Sequence, residues 1–227
     1  MILIRRGKEP ESLLGYRKSS PEACYENLPT EPREDIRKQM WAEQKGLCAY
    51  CMCRLNSPKD VRIEHYVARN PEDGDYDAAS TLDYKNMLGV CYGNSLWPGM
   101  READKTCDAH RRNKPLTVNP YDITSVRKIR YTTEGYITSV DDNIKTDVND
   151  TLNLNCESRS LPENRKAVLL QVKKEIGILC RNKSHRFYLE VLEKYYKRYT
   201  EQGALIPYCG IVIAWLEKEL NVCQVHR

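Results

Sequence analysis

The chain has 227 residues, of which 41% are hydrophobic and 30% charged, with a formal net charge of +4. That length holds one sizeable core, or a small module with an appended region, and the mild charge permits a nucleic-acid partner without arguing for one. The longest apolar stretch, residues 204–216, is interrupted by Pro207 and Gly210 and is too short to span a bilayer. The apolar run in Met1–Lys8 is too short for a signal peptide, so a cytoplasmic protein without membrane contact is expected.

In chain order, residues 1–30 carry Pro21 and Pro29 and read as irregular structure wrapped on the core. A helix is expected from Glu31 to Lys45, with Thr30 as N-cap, Pro32 in the tolerant first turn and Gly46 as the stop. Val61 to Val67 reads as a strand, followed by an Asp/Pro/Gly-rich loop from Ala68 to Ser80. Asp83 is placed to cap a short helix holding Asn86 and Leu88. A loop from Tyr92 to Thr106 precedes Cys107, and a hairpin is expected over Lys128–Val140, turning at Glu134-Gly135. Helical spacing then takes over. Val168, Val172, Ile176 and Leu179 form one apolar face, Tyr188, Leu192, Tyr195 and Tyr199 another, and a third helix is expected near Ile211–Leu220. The pattern is an α+β protein: an N-terminal extension and helix (1–45), a metal-bearing module with its following hairpin (46–140), and a helical C-terminal region (141–227).

Ten cysteines would suit a disulfide scaffold in an oxidising compartment, but cytosolic thiols stay reduced. Cys48 and Cys51 are separated by two residues, and Cys91 and Cys107 follow at intervals compatible with one tetrahedral zinc site. Cys53 is a rival ligand separated from Cys51 by a single residue. Cys24, Cys156, Cys180, Cys209 and Cys223 read as small buried side chains.

Within that frame lies Glu64-His65. Neighbours on a strand face opposite ways, so both reach one site only if the strand ends at His65. A neutral imidazole can take a proton from water, while Glu64 and a second oxygen ligand suit a hard cation such as magnesium or manganese. Asp108, His110 and Asn113 compete for that second place. If Cys107 opens a helix facing the zinc, His110 turns back towards the same side and Asp108 is rotated away by about 100°. Asp108 is therefore preferred, with His110 as the alternative. Arg111 and Arg112 share the Asp108 face and, with Lys114, form a candidate phosphate-binding set. Taken alone, that run would be a solvated face.

The order Cys-x2-Cys, acid-His, Asn-x4-Cys, Cys-Asp-x2-Arg resembles the HNH endonuclease superfamily over residues 46 to 114. More narrowly, Gly46–Cys51, Ile63–Tyr66, Asn86–Cys91, Thr117–Pro120 and Leu152–Asn155 resemble the retron- and Septu-associated HNH proteins. The resemblance implies a ββα-metal core with His65 as general base, Glu64 at the metal, and Asn86 holding the active-site loop. Asp108 stands where the pattern usually has His or Asn, and Glu64 where Asp is commoner. The insertion from Tyr92 to Thr106 stretches the second cysteine pair and is expected to form a mobile flap near the substrate. Also implied is a nuclease subunit of a bacterial anti-phage complex, with an ABC/SMC-like ATPase and, in retrons, a reverse transcriptase and its msDNA. The partner is expected on the C-terminal helices, through Tyr188, Tyr195 or Tyr199 if exposed. Cleavage of DNA is favoured over RNA. A standalone restriction-type enzyme and a non-catalytic zinc-stapled binding module are the alternatives.

Overall fold

A computed structural model describes residues 1–19, 22–70, 78–96, 98–201, 203 and 205–225. Pro21, Ala204, most of the loop expected over Ala68–Ser80 and the Cys223 side chain lie outside the described residues.

The chain opens with α1 (Glu11–Ser19) and α2 (Thr30–Glu43). Helix α2 follows from its sequence in its stripe and its stop: Pro32 sits in the first turn, Ile36 and Met40 bury one stripe at i,i+4 spacing, and Gly46 lies beyond the end at φ +73°. Thr30, expected as the N-cap, is the first helical residue, and Pro29 stands at the cap with no side-chain bond. The irregular structure expected over residues 1–30 is corrected by α1. Only Leu13 of that helix is buried, so no apolar period announces it. It is held from outside, by Pro10 carbonyl bonds to Leu13 and Leu14 and by Ser12 Oγ donating to Asp35 Oδ2 of α2 at 2.9 Å.

The central module is built on β1 (Arg62–His65), the short turn of helix α3 (Ala78–Thr81), β2 (Met87–Val90) and a single helical turn, α4 (Asp108–Arg111). Strands β1 and β2 are antiparallel, with Arg62 opposite Val90 and His65 opposite Met87. The strand ends at His65, the condition needed for Glu64 and His65 to reach one site. Asp83 accepts the Lys85 N–H at 2.9 Å and starts a 3-10 turn, Tyr84–Asn86. The expected helix stops there, and Leu88 lies on β2. All four residues of β2 are buried, so the alternation that would mark a strand is missing. Gln44, just past α2, supports it: its side-chain amide accepts from Gly89 N at 2.8 Å and donates to Gly89 O at 2.6 Å.

After α5 (Ile123–Val126) comes the expected hairpin, β3 (Ile129–Tyr131) and β4 (Ile137–Ser139), paired Arg130 to Thr138. Gly135 turns it at φ +91°, where a Cβ would fall on the Pro162 carbonyl oxygen; no side chain fits there. Next come α6 (Asp142–Thr146), a wide helical turn over Asp147–Thr151, and the long helices α7 (Leu161–Leu179), α8 (His185–Thr200) and α9 (Cys209–Val225). No helix among the described residues is long and apolar enough to cross a membrane.

Two clusters of buried side chains hold these elements. The first runs from Met1 to Leu161 and takes in Ile144, Val148, Leu152 and Leu154. The boundary expected at residue 141 is therefore displaced, since the segment from α6 to the start of α7 packs with the module that carries the four clustered cysteines. Its polar ties agree: Asp147 accepts the Thr117 and Val118 N–H groups at 2.6 and 2.7 Å, and Arg165 donates to Gly135 O of the hairpin turn at 3.1 Å. The second cluster comprises the inner faces of α7, α8 and α9, together with Leu47 and Met52. The α7 face uses Leu169, Val172 and Ile176, while Leu179, expected inside, is 48% exposed at the helix end.

Candidate metal centre and cleft

Cys48, Cys51, Cys91 and Cys107 are all buried, and their sulfur atoms lie within 4.8 Å of one another. The Sγ–Sγ separations are 3.9 Å for Cys48–Cys107, 3.8 Å for Cys51–Cys91 and 3.7 Å for Cys91–Cys107. Four thiolates at about 2.3 Å from a tetrahedral ion lie about 3.8 Å apart, so the cluster can hold a metal such as zinc. The local backbone explains the geometry. Met52 N donates to Cys48 O at 3.1 Å and Cys48 N to Cys53 O at 3.0 Å, curling the first pair into a knuckle, with Met52 in the left-handed region at φ +62°. Cys91 N points at Cys48 Sγ from 3.4 Å. Gly93 completes the second knuckle at φ +53°, against the Thr106 carbonyl. Cys53, the rival ligand, is half-buried and outside the four-sulfur group. Of the cysteines read as small buried residues, Cys156 and Cys209 are buried, while Cys24 and Cys180 are half-buried.

Beside the cluster, α4 and the end of β1 line a cleft of about 340 Å³ together with Arg62, Arg69, Asn70, Ser95, Lys105 and Arg112. Glu64, His65 and Asp108 all reach it, though each is less than a tenth exposed. Burial, and then hydrogen bonding and repulsion from the Asp108 carboxyl, push Glu64 well above the usual carboxylate range. Arg111 opposes that shift. Its guanidinium pairs with Glu64 Oε1, and Tyr50 Oη lies 3.4 Å from the same oxygen. Asp108 is paired on its other side with Arg62, Nε to Oδ2 at 2.7 Å. Two adjacent carboxyls are thus bracketed by two guanidinium groups.

His65 Nε2 lies 2.8 Å from the Thr81 carbonyl oxygen. A carbonyl only accepts, so Nε2 carries the proton and Nδ1 keeps its lone pair. Burial lowers the ring's pKa to about 4, so the imidazole is neutral at pH 7. The edge of Tyr25, centroid to centroid 4.6 Å and nearly perpendicular, fixes its plane. Asn86 stands behind the cleft. Its amide accepts from Val67 N at 2.7 Å and donates to Val67 O and Ser80 O at 3.0 and 3.1 Å, clamping the chain that leaves β1.

The phosphate-binding set divides. Arg111 is fully buried and donates to the His65, Tyr66 and Lys114 carbonyls at 3.0, 2.6 and 2.7 Å, which removes it from any role at the surface. Sequence spacing counted it with Arg112 because three residues and four residues both return to one helical face. The helix lasts only one turn, and Arg111 folds back under β1 while Arg112 enters the cleft. Lys114 is exposed and outside the cleft lining. His110 turns away, its Nδ1 lying 3.0 Å from Thr151 O, which leaves Asp108 as the cleft-facing acid of α4. Arg62, Arg69 and Lys105 also line the cleft and were not anticipated. Arg62 was findable, because residues i and i+2 of a strand share a face and Glu64 is its i+2 neighbour. The insertion reaches the cleft through Ser95 and Lys105, and its far end is pinned by Asn153 Nδ2 donating to Ala103 O and Lys105 O at 2.8 and 2.9 Å.

A scan against protein-family models finds no match to this chain, and a search of curated proteins finds none either.

Proposed function

We propose that the chain is a metal-dependent nuclease of the HNH kind, hydrolysing phosphodiester bonds in nucleic acid. One observation carries the reading: a single cleft gathers a neutral buried histidine, two adjacent carboxyls and four cationic side chains, Arg62, Arg69, Lys105 and Arg112. The order of two antiparallel strands and a helical turn around four clustered cysteines supports it.

In this reading the four cysteines hold one structural zinc, which ties the knuckle at Cys48–Cys51 to the segments carrying Cys91 and Cys107. Glu64 and Asp108 supply hard oxygen ligands for magnesium or manganese, a cation that would offset charge building on the phosphate. His65 accepts a proton from water at Nδ1, with Nε2 anchored on the Thr81 carbonyl so that the ring keeps its tautomer and aim. Arg111 holds the Glu64 carboxyl and the end of β1 together. Arg69, Lys105 and Arg112 attract the phosphate backbone.

The test is cleavage of double-stranded DNA, single-stranded DNA and RNA by zinc-loaded protein with magnesium or manganese. Activity lost with EDTA and in His65→Ala supports the proposal. An inert protein that still binds nucleic acid, alone and with its partner, moves the reading to a zinc-stapled binding module.

We also propose a place in an anti-phage complex with an ATPase, resting on the resemblance. The tyrosines named for the contact, on condition of exposure, are engaged within the chain. Tyr195 and Tyr199 are buried, and Tyr188 and Tyr195 donate to Glu219 and Glu175 at 3.1 and 3.0 Å, joining helices to one another. Among the described residues, the large apolar side chains of α7 and α8 that are more than a third exposed are Leu170, Ile178, Leu179 and Phe187. Co-expression with a neighbouring ATPase followed by size-exclusion chromatography tests the association; separate elution counts against it.

A further inference from the structure

The two guanidinium groups that bracket the cleft carboxyls are built for different tasks. Arg111 is fully buried and spends its donors on Glu64 and three backbone carbonyls, so it cannot leave. Arg62 has a side chain that is 42% exposed, and among the described residues its single ion pair is the Nε contact to Asp108 Oδ2. It lies on β1 two residues before Glu64 and lines the same cleft. The Arg62 end of the pair is open to solvent while the Asp108 end is buried, so the guanidinium can leave only if another cation takes its place on the carboxyl. A divalent cation meeting two carboxyls at once is such a replacement.

We propose that Arg62 is a displaceable arginine. A cation entering between Glu64 and Asp108 evicts its guanidinium from Asp108, and the freed fork then binds a phosphate of the nucleic acid in the cleft. The idea rests on the nuclease reading above. Before metal arrives, Arg62 neutralises a carboxyl that would otherwise lie buried beside another; afterwards the same charge serves the substrate. Metal and nucleic acid consequently bind with positive coupling, because each removes a partner that the other must displace. Arg112 differs, since its ion pair is with Glu102 at 2.9 Å, away from the two cleft carboxyls.

The test uses full-length, zinc-loaded protein in the inactive His65→Ala background. Mn2+ binding is read by electron paramagnetic resonance, with Asp108→Ala as the blank, and binding of a short oligonucleotide by fluorescence anisotropy. Adding Arg62→Ala should tighten Mn2+ binding several-fold while weakening oligonucleotide binding in Mn2+ by about tenfold, the loss typical of one charge-assisted phosphate contact. Arg112→Ala should weaken the oligonucleotide and leave Mn2+ unchanged. Zinc content and circular dichroism establish that each variant is folded. Unchanged Mn2+ affinity in Arg62→Ala overturns the displacement. Weaker affinity overturns it too, showing that Arg62 holds Asp108 in position for the metal. If the parent protein binds no Mn2+ at the blanked site, the nuclease reading itself fails and takes this inference with it.

Discussion

At the scale of single residues, the cleft groups that would touch substrate in the proposed nuclease are distinct from the groups that hold them in place. His65→Ala should abolish cleavage while zinc content stays close to the parent, and the unfolding midpoint should fall because a buried ring is removed from beside Tyr25 and Thr81 O. Asp108→Ala should be as severe, and His110→Ala mild, since His110 loses only its contact to Thr151 O. The reverse ranking in a cleavage assay would show that the ligand is His110. Arg111 makes the opposite prediction. Arg111→Ala leaves Glu64 buried without its cation and frees three carbonyls, a loss of about 3–5 kcal/mol by analogy with other broken buried pairs. Urea unfolding reads it directly, and Arg111→Lys should recover little because one ammonium cannot replace the fork. That Glu64, His65 and Asp108 line one cleft was legible in the sequence, from the end of the strand at His65 and the turn after Cys107. The burial of Arg111 was not. A guanidinium satisfied by backbone carbonyls leaves no trace in spacing, and only the tertiary path of α4 under β1 distinguishes it from Arg112.

Among the elements, legibility follows how each one is stabilised. Helices α2, α7, α8 and α9 carry their own apolar stripes, and the β3–β4 hairpin carries its turn at Glu134-Gly135, so local pattern sufficed. Helix α1 and strand β2 are held mainly by partners: α1 by α2, and β2 by β1 on one side and the Gln44 amide on the other. No window of their own sequence announces them. Gln44 therefore has a testable role. Gln44→Ala leaves the buried Gly89 N–H without its side-chain partner, while Gly89 O keeps the Ala49 N–H at 3.0 Å; the loss of about 1–3 kcal/mol should shift the urea midpoint more than an exposed Gln→Ala change in α7 such as Gln171→Ala. The turn at Gly93 is similarly exacting. Gly93→Ala places a methyl on the Thr106 carbonyl at positive φ, and the second knuckle must open to admit it. Zinc measured after gel filtration in the presence of a competing chelator should fall below that of the parent; full retention would show that the knuckle yields elsewhere.

For the whole molecule, the division into a nuclease-like module and a helical tail understates their dependence. Ile144, Val148, Leu152, Leu154 and Leu161 belong to the first core, so a chain ending at residue 140 loses part of the packing under its own cleft. It should fail to give a cooperative unfolding transition, whereas a well-folded 1–140 fragment would restore the simpler division. The sequence placed this boundary too early because the apolar period changes near Leu161, while the packing changes partner there and not at the hairpin. The first knuckle adds a further tie. Leu47 and Met52 flank the cysteine pair and face the helices, and Met52 O accepts from Tyr208 N at 3.0 Å. The thiols of Cys48 and Cys51 are thus one residue from side chains that seat α7, α8 and α9. Stripping the ion with a chelator should therefore accelerate amide hydrogen exchange along α9, remote in sequence from every ligand, and not only in the loops that the metal touches. In a cell, the occupancy of one ion would then govern how long the far end of the chain survives proteolysis.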